Sequence, residues 1–248
     1  MLLKGMVNSV MILWFIAAFT AYFVKGLCGF ANTLVFTTIL SFGATNASIS
    51  PVDLLLGYPA NLILTWKKRE NLDLKVHLTL AVLVLAGSIP GALMLKNVNA
   101  RSIKLIFGFV VIALGVEMLA REYSKKPTRP SKVALGIIGI TAGMLCGLFG
   151  VGALLAAYVS HVTDSDASFK ANISAVFIVD NTFRIIFYRA LGLLTLETVK
   201  PVLLLIPFAL LGLFIGMKCS GHMNEKTIRK ITTIFLVLSG ISLVLKNL

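Results

Sequence analysis

Asp180, Asn181 and Arg184 stand together in "FIVDNTFRIIFYR", inside a segment that is otherwise apolar. Their i, i+4 spacing lets Asp180 and Arg184 share one face of a helix. If that helix lies in a membrane, an isolated charge costs about 2.5 to 3.5 kcal/mol on insertion scales, so these groups must face the protein interior and be paired. Two chemistries fit. Arg184 could help hold an anion while Asp180 tunes it or carries a proton, or the two could form a structural ion pair. Asn61, in another apolar segment, offers a second amide beside Asn181.

Two glycine-rich breaks, "GLCGFANTL" and "GMLCGLFGVGALL", fall where an apolar helix should continue. Each glycine weakens a helix interior by about 1 kcal/mol relative to alanine. A break also frees backbone N–H groups and leaves a half-helix N-terminus in the bilayer, where its donors and partial positive charge suit an anion. Close helix packing by small residues is the alternative, but matched breaks in two places favour a ligand site. The candidate binding residues are therefore Gly26, Cys28, Gly29, Asn32, Asn61, Cys146, Gly147, Gly150, Gly152, Asn181 and Arg184, with Asp180 as the candidate for proton coupling. Lys25 adjoins the first break and either attracts the anion or snorkels to the interface. Cys28 and Cys146 either contact a sulfur anion or serve as small apolar residues. Asp53, two residues after Pro51, reads as part of a helix start.

These residues must be positioned by apolar elements spanning Met6–Val24, Leu27–Phe42, Pro51–Trp66, Leu74–Leu95, Ile103–Ala120, Val133–Leu145, Phe149–Val159, Ala171–Tyr188, Thr198–Met217 and Thr227–Leu245. Leu74–Leu95 and Ile103–Ala120 are nearly free of charge and long enough to cross about 30 Å of hydrocarbon. With 58% hydrophobic and 13% charged residues over 248 positions, the composition indicates an all-α polytopic membrane protein. Leu27–Phe42 and Phe149–Val159 are too short to span alone and read as broken or re-entrant helices.

The two halves repeat. The stretch from Ile89 runs without a gap against that from Phe214, so that Gly91 meets Gly216 and Asn99 meets Asn224; upstream, Asn61 meets Asn181 and "LCG" at Leu27–Gly29 meets "LCG" at Leu145–Gly147. This gives a first transmembrane repeat at 1–122, a basic linker at 123–132 and a second repeat at 133–248. Five elements per half, an odd number, would insert the second copy upside down, the inverted-repeat plan of many secondary transporters. Most Lys and Arg then fall on the linker side, which puts the linker in the cytoplasm and both termini outside.

The net charge of +13 resides in joints such as "WKKREN" and "NEKTIRK", where it orients and anchors the chain in lipid rather than binding nucleic acid. The three histidines lie in joints or at segment ends, and no zinc-protease, nucleophile-elbow or phosphate-loop motif is present, so no enzyme, metal or cofactor is indicated.

The ordered set "FVKGLCGFANTL", "GMLCGLFGVGALL", "DNTFRIIFYRALGLL" and the two glycine-starting segments from Gly91 and Gly216 resembles the sulfite exporter TauE/SafE family, the TSUP transporters, over essentially the whole chain. The resemblance implies transport of sulfite, thiosulfate or small organosulfonates across the cytoplasmic membrane of a bacterium or archaeon, coupled to protons. The breaks depart from the family pattern: neither carries the proline that usually follows the glycine run, and Asn32 and Thr33 replace small residues. An anion channel and a thiol-redox protein using Cys28 and Cys146 are the competing readings.

Overall fold

A computed structural model of the chain describes residues 2–40, 46–94, 132–149, 152–163, 165–192 and 194–248, with single positions between 105 and 116. The linker, apart from Lys132, lies outside the described residues, as do Gly150 and most of Ile103–Ala120.

The described residues form helices and no strand. In chain order these are α1 (Leu2–Cys28), α2 (Asn32–Leu40), α3 (Asn46–Lys67), α4 (Leu74–Met94), α5 (Lys132–Phe149), α6 (Ala153–Val162), α7 (Asp166–Ala190), α8 (Leu196–Ser220) and α9 (Glu225–Asn247). Among them Met11–Cys28, Leu74–Gly91 and Leu196–Ser220 are each long and apolar enough to cross a membrane. The radial distribution is that of a bilayer protein. Leu78, Val82, Leu203, Leu204 and Leu211 are exposed, while Lys25, Asp53, Asn61, Asp180, Asn181 and Arg184 are buried. Apolar side chains outward and paired polar groups inward are what a hydrocarbon solvent demands.

Glycines set the helix pairing. In α1 against α8, a Cβ at Gly26 would lie 2.3 Å from the Leu213 carbonyl oxygen, and one at Gly216 would lie 2.1 Å from that of Phe23. In α4 against α5, a Cβ at Gly87 would lie 2.1 Å from the Ile140 carbonyl oxygen, and one at Gly143 would lie 2.3 Å from that of Val84. Only backbones without side chains approach so closely, and in lipid this close packing replaces the missing hydrophobic drive. Contacts advance together along each pair, Phe19 with Gly212 then Phe23 with Gly216, and Leu83 with Gly139 then Gly91 with Met144, so both pairs run parallel. The central helices α3 and α7 run antiparallel: Ser50 meets Tyr188 and Tyr58 meets Thr182.

The first break is a sharp reversal. The amide of Gly29 closes the last turn of α1 onto the Lys25 carbonyl at 2.6 Å, and Gly29 then takes φ +85° with Ala31 at φ +70°. Alanine rarely adopts that region, and holding it there costs of order 1 to 3 kcal/mol. α2 folds back along α1, because Asn32 reaches Lys25 and the Phe36 ring meets Trp14 edge-on at 5.8 Å. α7 supports the reversal. The Lys170 side chain lies against Gly29 while its Nζ pairs with Asp166 at 2.7 Å and donates to Ser220 of α8.

The two breaks coincide one residue after another when Cys28 and Phe149, the last residues of α1 and α5, are superposed with Asn32 and Ala153, the first of α2 and α6. That register differs by three residues from the one carried by the two "LCG" triplets. It places Lys25 opposite Cys146 and Cys28 opposite Phe149, and moves Gly26 and Gly29 to stand opposite Gly147 and Gly150.

Candidate functional site

A cavity lined almost wholly by buried residues lies where the first turn of α2, the N-cap of α6 and the middles of α3 and α7 converge. Ala31, Asn32 and Thr33 line it from α2 and its approach, and Gly152 from the start of α6. The two half-helices thus present their N-terminal ends to one space, where unpaired backbone donors and the helix dipole favour negative charge. Gly152 caps α6 without any side-chain hydrogen bond.

Lys25 is fully buried and does not snorkel. Its Nζ donates to Asn32 Oδ1 at 2.9 Å and sits 5.2 Å from the centre of the Phe177 ring, a cation–π distance. Phe177 in turn packs its ring against Gly152, so closely that a Cβ there would overlap it. One aromatic ring therefore links the lysine of the first half to the break of the second.

Asp53 is not a helix-start residue. α3 begins at Asn46, so the carboxylate lies further inside the helix, buried and lining the cavity. It accepts from Tyr22 Oη at 3.0 Å, from Asn32 Nδ2 at 3.1 Å and from Thr33 Oγ1. The Asn32 amide therefore joins Lys25 on one side to Asp53 on the other. Thr33, Tyr22 and Phe177 carry no sequence signal that separates them from ordinary bundle residues.

From α7, Arg184 donates from Nη2 to Tyr188 Oη at 2.9 Å and Ser50 Oγ at 3.2 Å. Its Nε is buried and has no partner among the described residues, and the same holds for Asn61 Oδ1. Both residues line the cavity. An unsatisfied buried polar atom costs roughly 1 to 3 kcal/mol, and two of them on residues that line one space suggest a place where a further polar group would be stabilised. Asn181 completes the wall: over Gly57, a Cβ would stand 3.6 Å from Asn181 Nδ2 and 3.7 Å from Asn32 Nδ2, so the two amides converge there.

Of the residues singled out from sequence, the structure brings Asn32, Asn61, Gly152, Asn181 and Arg184 together around this cavity, with Lys25 and Asp53 added. Gly26 lies in the α1–α8 contact instead. Gly29 forms the reversal behind the cavity. The Cys28 thiol lies 3.0 Å from the Val24 and 3.2 Å from the Phe30 carbonyl oxygen, with its one proton for either; Cys146 and Gly147 are buried within α5; none of the three lines the cavity. Asp180 and Arg184 turn to different partners rather than to each other: Asp180 accepts from Ser88 of α4 at 2.5 Å, away from the cavity wall. Among the described residues no cluster of His, Cys, Asp or Glu could hold a metal ion.

Taken as a site, the wall carries two cations, one carboxylate and several amide donors in a space of about 20 Å³, room for little more than one water molecule. The arrangement can hold a small anion once that space widens. A family model described as sulfite exporter TauE/SafE matches residues 14–243. No curated protein and no solved structure matches the chain.

Proposed function

The chain belongs to the sulfite exporter TauE/SafE family, a family of membrane transporters rather than enzymes, and from that membership we propose that it carries a small sulfur-containing anion across the cytoplasmic membrane of a bacterium or archaeon. Sulfite, thiosulfate and organosulfonates form the substrate class, with protons as the coupling ion. The observation that carries this reading is the convergence of two buried cationic side chains, Lys25 and Arg184, on one cavity bounded by two half-helix N-termini, with Arg184 Nε unpartnered among the described residues. A sulfur oxyanion offers several acceptor oxygens to such a ring of donors.

Alternating access follows from two related halves, 1–122 and 133–248, arranged as inverted repeats. What supports the inversion is direction: α3 and α7 run antiparallel, and the first helix of each half packs parallel to the fourth helix of the other. A space as small as this one admits an anion only when the halves separate, which favours a carrier over an open channel.

Uptake of radiolabelled sulfite, thiosulfate and 2-hydroxyethanesulfonate into proteoliposomes, with and without an imposed pH gradient, tests the proposal. Saturable uptake of at least one, abolished in Arg184→Ala, is expected. Transport of none of them removes the substrate class, and flux that fails to saturate removes the carrier.

A further inference from the structure

Among the described residues three charged side chains line the cavity: Lys25, Arg184 and Asp53. The lysine's position over the Phe177 ring and on the Asn32 carbonyl oxygen suits an ammonium. With Asp53 ionised the wall therefore sums to a single positive charge, and with Asp53 protonated to two. The other elements packed around Asp53 do not alter this balance. α1 contributes Tyr22, already donating to the carboxylate, and Lys25 itself. α2 contains no ionisable residue, nor does α8 between Pro201 and Met217. On α7, Asp180 is engaged by Ser88 outside the cavity wall, and Tyr188 accepts from Arg184.

Resting on the substrate reading above, we propose that Asp53 sets the charge of the anion this cavity accepts: ionised it selects a monoanion such as a sulfonate, and protonated it admits a dianion together with one proton. In both loaded states the wall and its cargo sum to zero, the condition under which a charge cluster crosses low-dielectric surroundings at least cost. The proton rides on the Asp53 carboxyl oxygen, enters from water on the loading side and returns to water when the dianion leaves. The Asn32 amide, bonded to both Lys25 and Asp53, makes the aspartate's state felt at the lysine. A neutral carboxyl no longer competes for the amide donors, and Lys25 and the amide turn to the larger negative charge of the cargo.

The test measures uptake of 2-hydroxyethanesulfonate, a monoanion, and thiosulfate, a dianion, into proteoliposomes over a range of pH. In the wild type the thiosulfate-to-sulfonate ratio rises as pH falls. In Asp53→Asn the ratio shifts toward thiosulfate by about tenfold or more at neutral pH, corresponding to ~1.4 kcal/mol, and loses its pH dependence. The charge-conserving swap Asn32→Asp with Asp53→Asn restores both properties. Wild-type vesicles that carry both anions at a pH-independent ratio overturn this proposal alone, with no variant required. Vesicles that carry neither overturn the substrate reading and this proposal with it. A pH dependence that survives in folded Asp53→Asn moves the proton to Lys25 and overturns the assignment.

Discussion

Lys25 and Asn32 are joined side chain to side chain at 2.9 Å, the lysine near the end of α1 donating to the first residue of the helix that folds back along it. The bond fixes how far α2 returns and aims the α2 N-terminus into the cavity. The same pair also carries a cation to the middle of the protein, because the Asn32 amide passes the contact on to Asp53. Local reversal and site electrostatics are thus one arrangement.

Lys25→Met removes that donor and one of two cations. Leaving Asn32 Oδ1 unpartnered in a buried setting costs roughly 1 to 3 kcal/mol, so the melting temperature in detergent falls modestly while anion uptake falls by more than about tenfold, the equivalent of ~1.4 kcal/mol in binding. Uptake equal to the wild type in the folded variant would show that Lys25 only shapes the reversal.

Gly57→Ala and Gly26→Ala separate a cavity glycine from a packing glycine. At Gly57 the new methyl meets Tyr22 Oη, Asn181 Nδ2 and Asn32 Nδ2 at 3.5 to 3.7 Å, ordinary contact distances, and alanine favours a helix by about 1 kcal/mol. Stability holds or rises, and uptake drops because the methyl occupies the space an anion needs. At Gly26 the methyl meets the Leu213 carbonyl oxygen at 2.3 Å, so folded protein is lost. Size-exclusion profiles and uptake on the same preparations distinguish the two outcomes.

How far the sequence discloses this arrangement depends on the kind of signal. Apolar length locates the helices within a few residues, since bilayer thickness imposes it directly: Leu74–Leu95 is expected and Leu74–Met94 is found. A composition break locates the reversal after Cys28, since glycine is scarce where a helix must continue. Partner choice is another matter. Asp53 follows a proline and so resembles a helix start, yet α3 begins earlier, at Asn46, with Pro51 inside it; what makes Asp53 a site residue is Tyr22, Asn32 and Thr33 arriving from other elements. Likewise Asp180 and Arg184 have the spacing of an ion pair, but Ser88 and Ser50 from different helices claim them. The repeated "LCG" triplets are legible as letters, whereas the register of the breaks is set by helix ends, three residues away.

Cys28→Ser with Cys146→Ala tests the thiol-redox reading. The serine hydroxyl can donate to either the Val24 or the Phe30 carbonyl in place of the Cys28 thiol, and Cys146 is wholly buried away from the cavity. Undiminished uptake is expected, with a small loss of thermal stability from the volume removed at Cys146. Abolished transport with an intact fold would return the cysteines to the site.

Ala31→Gly relieves a left-handed backbone position and removes only a methyl group from the cavity lining. Because alanine at φ +70° is strained and glycine is not, the variant should melt at or above the wild-type temperature, despite the extra freedom glycine adds to the unfolded chain. Ala31→Val should melt lower, by the equivalent of about 1 to 3 kcal/mol. Thermal unfolding followed in detergent orders the three proteins, and a lower melt for the glycine variant would mean the reversal is not strained.

Arg184→Lys asks whether the site needs a charge or a guanidinium. In the wild type Nη2 is committed to Ser50 and Tyr188, which holds the planar group still while Nε remains unpartnered among the described residues on a side chain that lines the cavity. A lysine keeps the positive charge but has one nitrogen to serve both purposes: if it stays on Tyr188 the cavity loses its donor, and if it turns inward Tyr188 and Ser50 lose theirs. Either way the fixed geometry is gone, because the ammonium lacks the second nitrogen and the rigid plane that divide these tasks. Uptake at saturating anion should therefore suffer less than affinity, with the half-saturating concentration rising by about tenfold and the fold retained. Should the lysine variant match the wild type in half-saturation, charge alone would account for the role of Arg184, and Nε would be no part of the binding site.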